Sequence, residues 1–289
     1  MTAADEFSAE LTDEQIQHIF DRKIVPRHLS PIVPQDHPEA ELVIAPPGSG
    51  KTTYVEGRCE EEANGARPKT QICSDKYKGY NETYRRLLIE QPRDAGRLTR
   101  SFSNRIHTMA EAYVRERRGD ILDEIAPSRV EDFVTTARRL HEAEYWVIAR
   151  VLAVRRADSL QGVALRYARL RELGAPARFT TREGHDLCYQ VLTDIADVVE
   201  EIPWIDSVIV QSRSGEVLYE NTRNHAGSWI RPPGCAVALN DERNRPYLPA
   251  ESEDFRHRQA YLREALKDHP SEIADIARLA APLLPRWPR

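Results

Sequence analysis

Several features are scarce in this chain, and each scarcity argues against a class of protein. Four cysteines occur in 289 residues, without a CxxC pair or a ligand spacing, which disfavours a zinc site or a disulfide scaffold. No apolar run approaches the roughly 20 residues of a membrane span, and the polar amino terminus lacks a signal-peptide segment. Basic residues are not in excess, because the net charge is −5. We therefore expect a soluble cytoplasmic protein without a membrane partner, and nucleic-acid binding is not expected.

One segment carries a recognisable chemistry. Residues 45–52 read APPGSGKT, follow the apolar run Leu42-Val43-Ile44 and precede a helical pattern, which is typical of a phosphate-binding loop. In such a loop Lys51 reaches the β- and γ-phosphates of ATP, and Thr52 is the expected Mg²⁺ ligand. A plain Pro-Gly turn is the alternative. The candidate ATP-binding residues are Pro47, Gly48, Ser49, Gly50, Lys51, Thr52 and Thr53.

Hydrophobic periodicity predicts strands alternating with helices. Strands are predicted at 42–44, 70–73, 121–122 and 146–154, with a hairpin at 206–211 and 216–219. Helices are predicted at 12–24, 51–65, 102–118, 128–142, 158–173, 183–201 and 253–284, the last broken at Pro270. A connector is expected from Val25 to Pro38, and Trp146 is expected in the core. The pattern predicts an α/β fold with a mostly parallel sheet flanked by helices and extra C-terminal helices.

Phosphoryl transfer also requires a base and cations. Asp75 follows the second predicted strand, and the carboxyl ends of parallel strands face the ligand crevice, so Asp75 is the candidate base. A solvent-exposed turn residue is the alternative reading. The adjacent Lys76 and Lys78 should lower the pKa of Asp75. Arg166 and Arg178 are candidates for binding the transferred phosphoryl group, although composition does not distinguish them from the other arginines nearby.

The order of these motifs resembles the zeta toxin family of bacterial toxin–antitoxin kinases. The resemblance runs from about residue 24 to about residue 219. It implies a P-loop kinase fold, ATP and Mg²⁺ as cofactors, and transfer of the γ-phosphate to a nucleotide sugar, UDP-N-acetylglucosamine. It also implies a small helical antitoxin protein that covers the ATP site. The matching residues are Lys51, Asp75-Lys76-Tyr77-Lys78, Ser103-Asn104-Arg105, Arg166-Tyr167, Arg178 and His185-Asp186.

Carried over by position, the resemblance implies specific roles. Lys51 would be the phosphate lysine, Asp75 the base, and Arg166 and Arg178 the clamps on the migrating phosphoryl group. The implied substrate-binding residues are Lys78, Ser103, Asn104, Arg105, Thr108 and Glu124. We divide the chain into an N-terminal helical extension (1–40), a P-loop kinase core (41–220) and a C-terminal helical extension (221–289).

Two departures from the family pattern concern the acceptor. Thr108 stands where the family usually has a glutamate, and Glu111 lies nearly one turn further on. Ala126 replaces a family threonine after Glu124. A site built to hydrogen-bond one substrate group rejects analogues that lack it, so the acceptor could be another nucleotide, nucleotide sugar or hydroxyl-bearing metabolite.

Two further functions stay open on the residues alone. One is a small-molecule kinase without a toxin role, such as one that phosphorylates an antibiotic or a nucleoside. The other is a non-catalytic nucleotide-binding protein. For His185 we expect a structural role, pinning the loop that carries Arg178, rather than direct chemistry.

Overall fold

Short runs rich in valine, isoleucine and leucine form the strands of one sheet. The computed structural model describes residues 11–285. The six strands lie in the order β2-β3-β1-β4-β5-β6. They are β1 (Glu39–Ile44), β2 (Thr70–Ile72), β3 (Ile121–Ile125), β4 (Trp146–Ala153), β5 (Ser207–Ser212) and β6 (Val217–Thr222).

The pairing of these strands places the candidate loop near the middle of the sheet, at the carboxyl ends of its parallel strands. Strands β1 to β5 are mutually parallel, and β6 runs antiparallel to β5. Strand β1 lies between β3 and β4, and the phosphate-binding loop follows its carboxyl end. The predicted mostly parallel sheet and its terminal hairpin are confirmed.

Twelve α-helices surround the sheet in the described part of the chain. Over residues 11–285, none is both long and apolar enough to cross a membrane. The helices are α1 (Asp13–Ile19), α2 (Lys51–Ala63), α3 (Ser74–Lys78), α4 (Glu82–Glu90), α5 (Ala95–Leu98), α6 (Arg100–Glu116), α7 (Val130–Glu142), α8 (Arg156–Glu172), α9 (Arg182–Val198), α10 (Cys235–Asn244), α11 (Pro249–Ala265) and α12 (Pro270–Ala280).

The first helix continues well past its predicted end. After α1 the backbone becomes π-helical over Phe20–Leu29, with Pro26 inside the segment. Phe20, Ile24 and Leu29 are buried in the main core, and this burial explains why the segment stays helical through a proline. The expected connector beginning at Val25 is therefore wrong up to Leu29.

The two faces of the sheet carry different cores. On one face, apolar side chains of α6, α7, α9 and α10 pack on Leu42, Ile44 and Val151 together with the N-terminal helical segment. On the other face, Val55 of α2 packs on Val43 and Leu122. This alternation along each strand is the period-2 pattern of a sheet covered on both sides.

A third apolar cluster joins the C-terminal helices to α8. Leu165 and Ala168 of α8 pack with Leu262 of α11 and with Ile273 and Ile276 of α12. The predicted C-terminal helices are confirmed with their break before Pro270, but α10 was not predicted. The division of the chain at residues 41 and 220 stays a prediction.

Candidate active site

The phosphate-binding loop needs glycine at two positions. Gly48 and Gly50 have φ values of 79° and 98°, in the left-handed region that side chains disfavour. A Cβ atom on Gly48 would also lie 2.0 Å from the carbonyl oxygen of Ser159 in α8. The backbone of the loop at Gly48 thus packs directly against the first turns of α8.

Lys51 begins α2 and folds back over this loop. Its Nζ donates hydrogen bonds to the carbonyl oxygens of Ala45 at 2.6 Å and Pro46 at 3.1 Å. Burial lowers the pKa of Lys51, while the charges of Glu124 and Asp75 act in the opposite direction. The hydroxyl of Ser49 is buried without a hydrogen-bond partner among the described residues. Unsatisfied donors and a lysine at a helix start are suited to bind phosphate oxygens.

Asp75 lies between two cations. It belongs to α3, which begins directly after β2. Its Oδ1 accepts a hydrogen bond from Lys78 Nζ at 2.7 Å, and its Oδ2 lies 3.4 Å from Arg178 Nη2. Burial alone would raise the pKa of Asp75, but the charges of Arg178 and Lys78 outweigh it and lower the pKa well below the ordinary value. Asp75 is therefore ionised at neutral pH.

Of the two candidate arginines, Arg178 contacts this carboxylate, and Arg166 acts on it through its charge. Arg166 donates to the hydroxyl of Thr180 at 3.5 Å, two residues after Arg178. Burial and the charge of Arg178 lower the pKa of Arg166, while Asp75 acts to raise it. The fold thus brings together Asp75, Lys78, Arg166 and Arg178 from three separate segments.

Tyr84 of α4 borders this cluster and was missed by the sequence reasoning. Burial raises the pKa of its hydroxyl, and the charges of Arg178, Asp75 and Arg166 also act on it. No motif marks Tyr84, because α4 itself was not predicted from the sequence.

The predicted substrate-binding residues of α6 make contacts with their own helix or with α1. Ser103 is buried and donates to the carbonyl of Arg100 at 3.0 Å. Thr108 is exposed and donates to the carbonyl of Asn104 at 3.1 Å. Arg105 pairs instead with Asp13. Among these residues, Arg105 is therefore drawn toward the N-terminal helix rather than toward Asp75.

Glu111 does not take the place of the glutamate that Thr108 replaces. Its side chain is 1% exposed and lies 2.6 Å from both Arg115 and Arg139. The pair with Arg139 ties α6 to α7, whereas the pair with Arg115 lies within α6. A buried carboxylate that already binds two arginines is committed to the packing of these helices.

His107 and Asp123 form a second polar pair that the sequence reasoning missed. His107 Nε2 lies 2.8 Å from Asp123 Oδ1, and the side chain of Asp123 is 1% exposed. Burial lowers the pKa of His107, but Asp123 more than compensates and raises it. The strand was predicted over residues 121–122 only, but β3 continues to Ile125, so that Asp123 and Glu124 lie within the strand, on opposite faces.

Glu124 remains at the carboxyl end of the sheet near the loop. It accepts a hydrogen bond from Gln71 on the neighbouring strand β2, and its charge acts on Lys51. Among the predicted acceptor residues, Lys78 contacts Asp75, and Glu124 acts on the loop lysine through its charge.

His185 lies beneath the loop rather than in the crevice. It is 0% exposed, with Nε2 2.8 Å from Ser159 Oγ and Nδ1 3.0 Å from Asp186 Oδ1. Asp186 also binds Arg156 and Arg182. Ser159 is the residue whose carbonyl contacts Gly48. The histidine thus joins the start of α9 to the turn of α8 that supports the phosphate-binding loop.

The loop residues fit a nucleotide with Mg²⁺. Within residues 11–285, no three His, Cys, Asp or Glu side chains form a ready-made metal site. Thr52 is exposed in the first turn of α2, beside Lys51. A Mg²⁺ ion would accordingly be held by the Thr52 hydroxyl together with the phosphates of the nucleotide.

Comparison with known proteins agrees with this geometry. The sequence profile of the zeta toxin family matches residues 26–224. The chain belongs to the zeta toxin family. This is a family of P-loop kinase-like enzymes, and the fold described above is the P-loop kinase fold of its members. No curated protein matches the chain.

Two solved structures show the extent of the structural likeness. A chain of the PezAT chromosomal toxin–antitoxin system of Streptococcus pneumoniae superposes with a TM-score of 0.74 at 19% identity, covering 89% of this chain and 98% of that one. A chain of the AvrRxo1-ORF1:-ORF2 complex with ATP gives a TM-score of 0.50 at 14% identity, covering 84% and 80%. At these identities the likeness concerns the fold.

Proposed function

We propose that this zeta toxin family protein is an ATP-dependent kinase that transfers the γ-phosphate to a hydroxyl of a nucleotide sugar or a related nucleotide metabolite. The observation that carries the proposal is the contact of Asp75 with Arg178, 103 residues apart in the chain, at the sheet edge where the phosphate-binding loop begins. A base, cations and a phosphate loop are the parts that phosphoryl transfer requires.

Lys51 and the loop would bind the nucleotide. Binding moves the Lys51 ammonium from the carbonyls of Ala45 and Pro46 to the phosphate oxygens. The backbone N–H groups of residues 47–53 and the start of α2 bind the same oxygens. The Thr52 hydroxyl, together with the phosphates, would hold a Mg²⁺ ion, which would neutralise charge on the nucleotide.

Asp75 would accept the proton of the acceptor hydroxyl. Its lowered pKa keeps it ionised and makes it a weak base, which suffices when the transition state is loose and alignment of the reactants dominates. Arg166 and Arg178 would neutralise the charge that spreads over the migrating phosphoryl oxygens. Lys78 orients Asp75 through their hydrogen bond.

The acceptor would lie beside α6 and β3. The residues proposed to line its site are Lys78, Ser103, Asn104, Arg105, Thr108 and Glu124. UDP-N-acetylglucosamine is the acceptor that the family resemblance implies. Thr108 stands in place of the family glutamate, and Glu111 cannot replace that glutamate because it is already paired with two arginines. Both observations support a different hydrogen-bonding requirement for the acceptor here. The toxin–antitoxin origin of the PezAT chain supports an antitoxin partner for this protein as well.

A mass-spectrometric assay tests the proposal. The purified protein is incubated with Mg·ATP and a metabolite extract, and metabolites that gain one phosphate are identified. Asp75→Asn should abolish the product, because the carboxylate that accepts the proton is lost. Asp132→Asn, at the exposed start of α7, is the matched control and should retain wild-type turnover.

The identity of the product separates the remaining possibilities. Phosphorylated UDP-N-acetylglucosamine would show that Thr108 is a tolerated change. A different phosphorylated metabolite would assign the enzyme another acceptor, including that of a small-molecule kinase. If no metabolite gains a phosphate while ATP binds, the protein is a non-catalytic nucleotide-binding protein and the proposed kinase activity is wrong.

A further inference from the structure

The loop that carries Arg178 is anchored through the next residue. Phe179 is 5% exposed, and its ring stacks on His269 with centroids 4.9 Å apart and an interplanar angle of 15°. The edge of Tyr167 meets the same ring at 4.8 Å, and the guanidinium of Arg93 lies 4.7 Å from its centroid. Phe179 is therefore enclosed by groups from three separate segments.

A second contact holds the far end of this loop. Arg182 Nη1 donates to Asp275 Oδ2 at 2.9 Å. His269 precedes α12 and Asp275 lies in its second turn. The start of α12 and the residue before it thus contact two residues that follow Arg178 in the chain, Phe179 in the loop and Arg182 at the first position of α9.

The same end of α12 also contacts the segment between α4 and α5. Arg93, between α4 and α5, donates to Glu272 and lies 3.2 Å from His269 Nδ1. The backbone N–H of Phe179 donates to the carbonyl of Pro92 at 3.2 Å. Residues 92–93, residue 179 and the start of α12 therefore form one connected unit.

Helix α12 is itself firmly placed. It packs on α8 and α11 through the third apolar cluster, and Gln259 of α11 donates to the carbonyl of Ile273 at 2.6 Å. Both helices lie beyond residue 224, where the family match ends. The contacts that His269 and Asp275 contribute to the anchor are consequently supplied by a part of the chain outside the matched region.

Position matters for an arginine that acts on a transferred phosphoryl group. Residues 175–181 form neither helix nor strand, and a long side chain on such a loop has considerable freedom to lose. Electrostatic stabilisation of a transition state depends on groups held in place before the reaction, and a displacement of about 1 Å can cost roughly a hundredfold in rate.

We propose that His269, directly before α12, and Asp275 of α12 are positioning residues that hold Arg178 in place for phosphoryl transfer. The inference rests on the proposed kinase function, and it assigns a role to the C-terminal helices. His269 acts by stacking on Phe179, and Asp275 acts through Arg182. Neither residue touches the nucleotide.

Kinetics of four variants test this role. His269→Ala and Asp275→Asn should each lower kcat for phosphoryl transfer about tenfold and leave the KM for ATP unchanged, because the phosphate-binding loop is not altered. His269→Phe retains the aromatic stack and should restore most of the kcat. Lys267→Ala, which removes an exposed residue paired with Glu264, is the control and should behave as wild type.

Hydrogen exchange of the peptide containing residues 175–182 gives a readout that does not need catalysis. Exchange should be faster in His269→Ala and Asp275→Asn than in His269→Phe or Lys267→Ala. Unchanged exchange in both disrupting variants overturns the inference. Faster exchange with unchanged kcat also overturns it, because α12 would then hold the loop without serving catalysis.

The two proposals fail in different ways. A wild-type protein that transfers no phosphate refutes the proposed function and with it the catalytic purpose of the anchor, whereas the exchange data still decide whether α12 holds the loop. If His269→Ala does not fold, the decision rests on Asp275→Asn, whose side chain is 37% exposed and can be changed without opening the core.

Discussion

Gly96 of α5 lies directly against Arg178: a Cβ atom at residue 96 would be 2.8 Å from Arg178 Nη1 and 3.0 Å from its Cδ. The absence of a side chain at residue 96 gives the guanidinium room to reach Asp75. Because the contacted atoms belong to the flexible part of an arginine, a larger residue would displace the arginine rather than unfold the protein.

The variant Gly96→Ala should therefore lower kcat about tenfold with little change in the melting temperature. Steady-state kinetics and thermal melting measure the two effects. Gly79→Ala is the matched control, since a Cβ there has no atom within 4 Å and the backbone φ is −62°. An active Gly96→Ala enzyme would mean that Arg178 is not needed at its present position.

In the phosphate-binding loop, Gly48→Ala should abolish ATP binding and destabilise the fold by about 1–3 kcal/mol or more. The new Cβ would meet the backbone of Ser159, which cannot move aside as a side chain can, and the residue would stay at a positive φ. Calorimetric titration with Mg·ATP and thermal melting detect the two losses.

The control for this variant lies in the following helix. Gly57→Ala adds a methyl group in the interior of α2, where no atom lies within 4 Å, and should stabilise the protein by up to about 1 kcal/mol without changing ATP affinity. Equal ATP affinities for Gly48→Ala and Gly57→Ala would contradict the proposed nucleotide site.

A buried ionic network under α2 predicts a pH dependence of stability. Glu41 is 2% exposed, lies 3.0 Å from Lys69 Nζ, and also binds Arg150 and Tyr54. Burial would raise its pKa, but Lys69 and Arg150 lower the pKa from 4.5 to about 2. The folded state thus binds a proton at Glu41 less readily than the unfolded state.

The stability that Glu41 contributes should be complete above about pH 5 and should be lost as the pH falls toward 2. Its magnitude from the pKa difference is about 3 kcal/mol, so Glu41→Gln should be destabilised by that order at pH 7. Urea unfolding at pH 7, 5 and 3.5 should show the gap between wild type and variant narrowing only in the last step. A gap of constant size would refute the role of ionisation.

His185 should support nucleotide binding indirectly. His185→Ala removes one hydrogen-bond partner of the Ser159 hydroxyl, which also donates to carbonyl oxygens of its own helix. The change should loosen the turn of α8 on which Gly48 rests, so we expect weaker ATP binding and a loss of about 1–3 kcal/mol in stability. Titration with Mg·ATP and urea unfolding provide the test. His225→Ala, at an exposed turn, is the control. Equal ATP affinity in the two variants would show that His185 does not support the phosphate-binding loop.

Local patterns were enough to predict most of the sheet and the loop. The apolar run of β4, the glycine-rich turn before Lys51 and the hairpin of β5 and β6 each depend on a few neighbouring residues, and the structure confirms all three. Trp146 was wrongly expected in the core: it is 42% exposed, because it starts β4 on the face away from the main apolar cluster.

Other features depend on contacts between distant segments, which a single sequence does not reveal. Pro26 argued for a connector, yet burial of Ile24 and Leu29 keeps that segment helical. The ion pairs of Glu111 and the enclosure of Phe179 join helices far apart in the chain. The roles of Asp75, Arg166 and Arg178 stay predictions, although the fold brings the three side chains together.

The carbonyl oxygens of Ala45 and Pro46 compete with phosphate oxygens for the hydrogen bonds of the Lys51 ammonium. In the proposed function, the phosphates of ATP displace hydrogen bonds of 2.6 and 3.1 Å to these carbonyl oxygens, so the expected affinity is the intrinsic affinity reduced by the stability of that arrangement. Nucleotide binding accordingly exchanges one set of oxygen acceptors for another. The carbonyl oxygens of Ala45 and Pro46 thus bind the buried ammonium of Lys51 in the way that phosphate oxygens would.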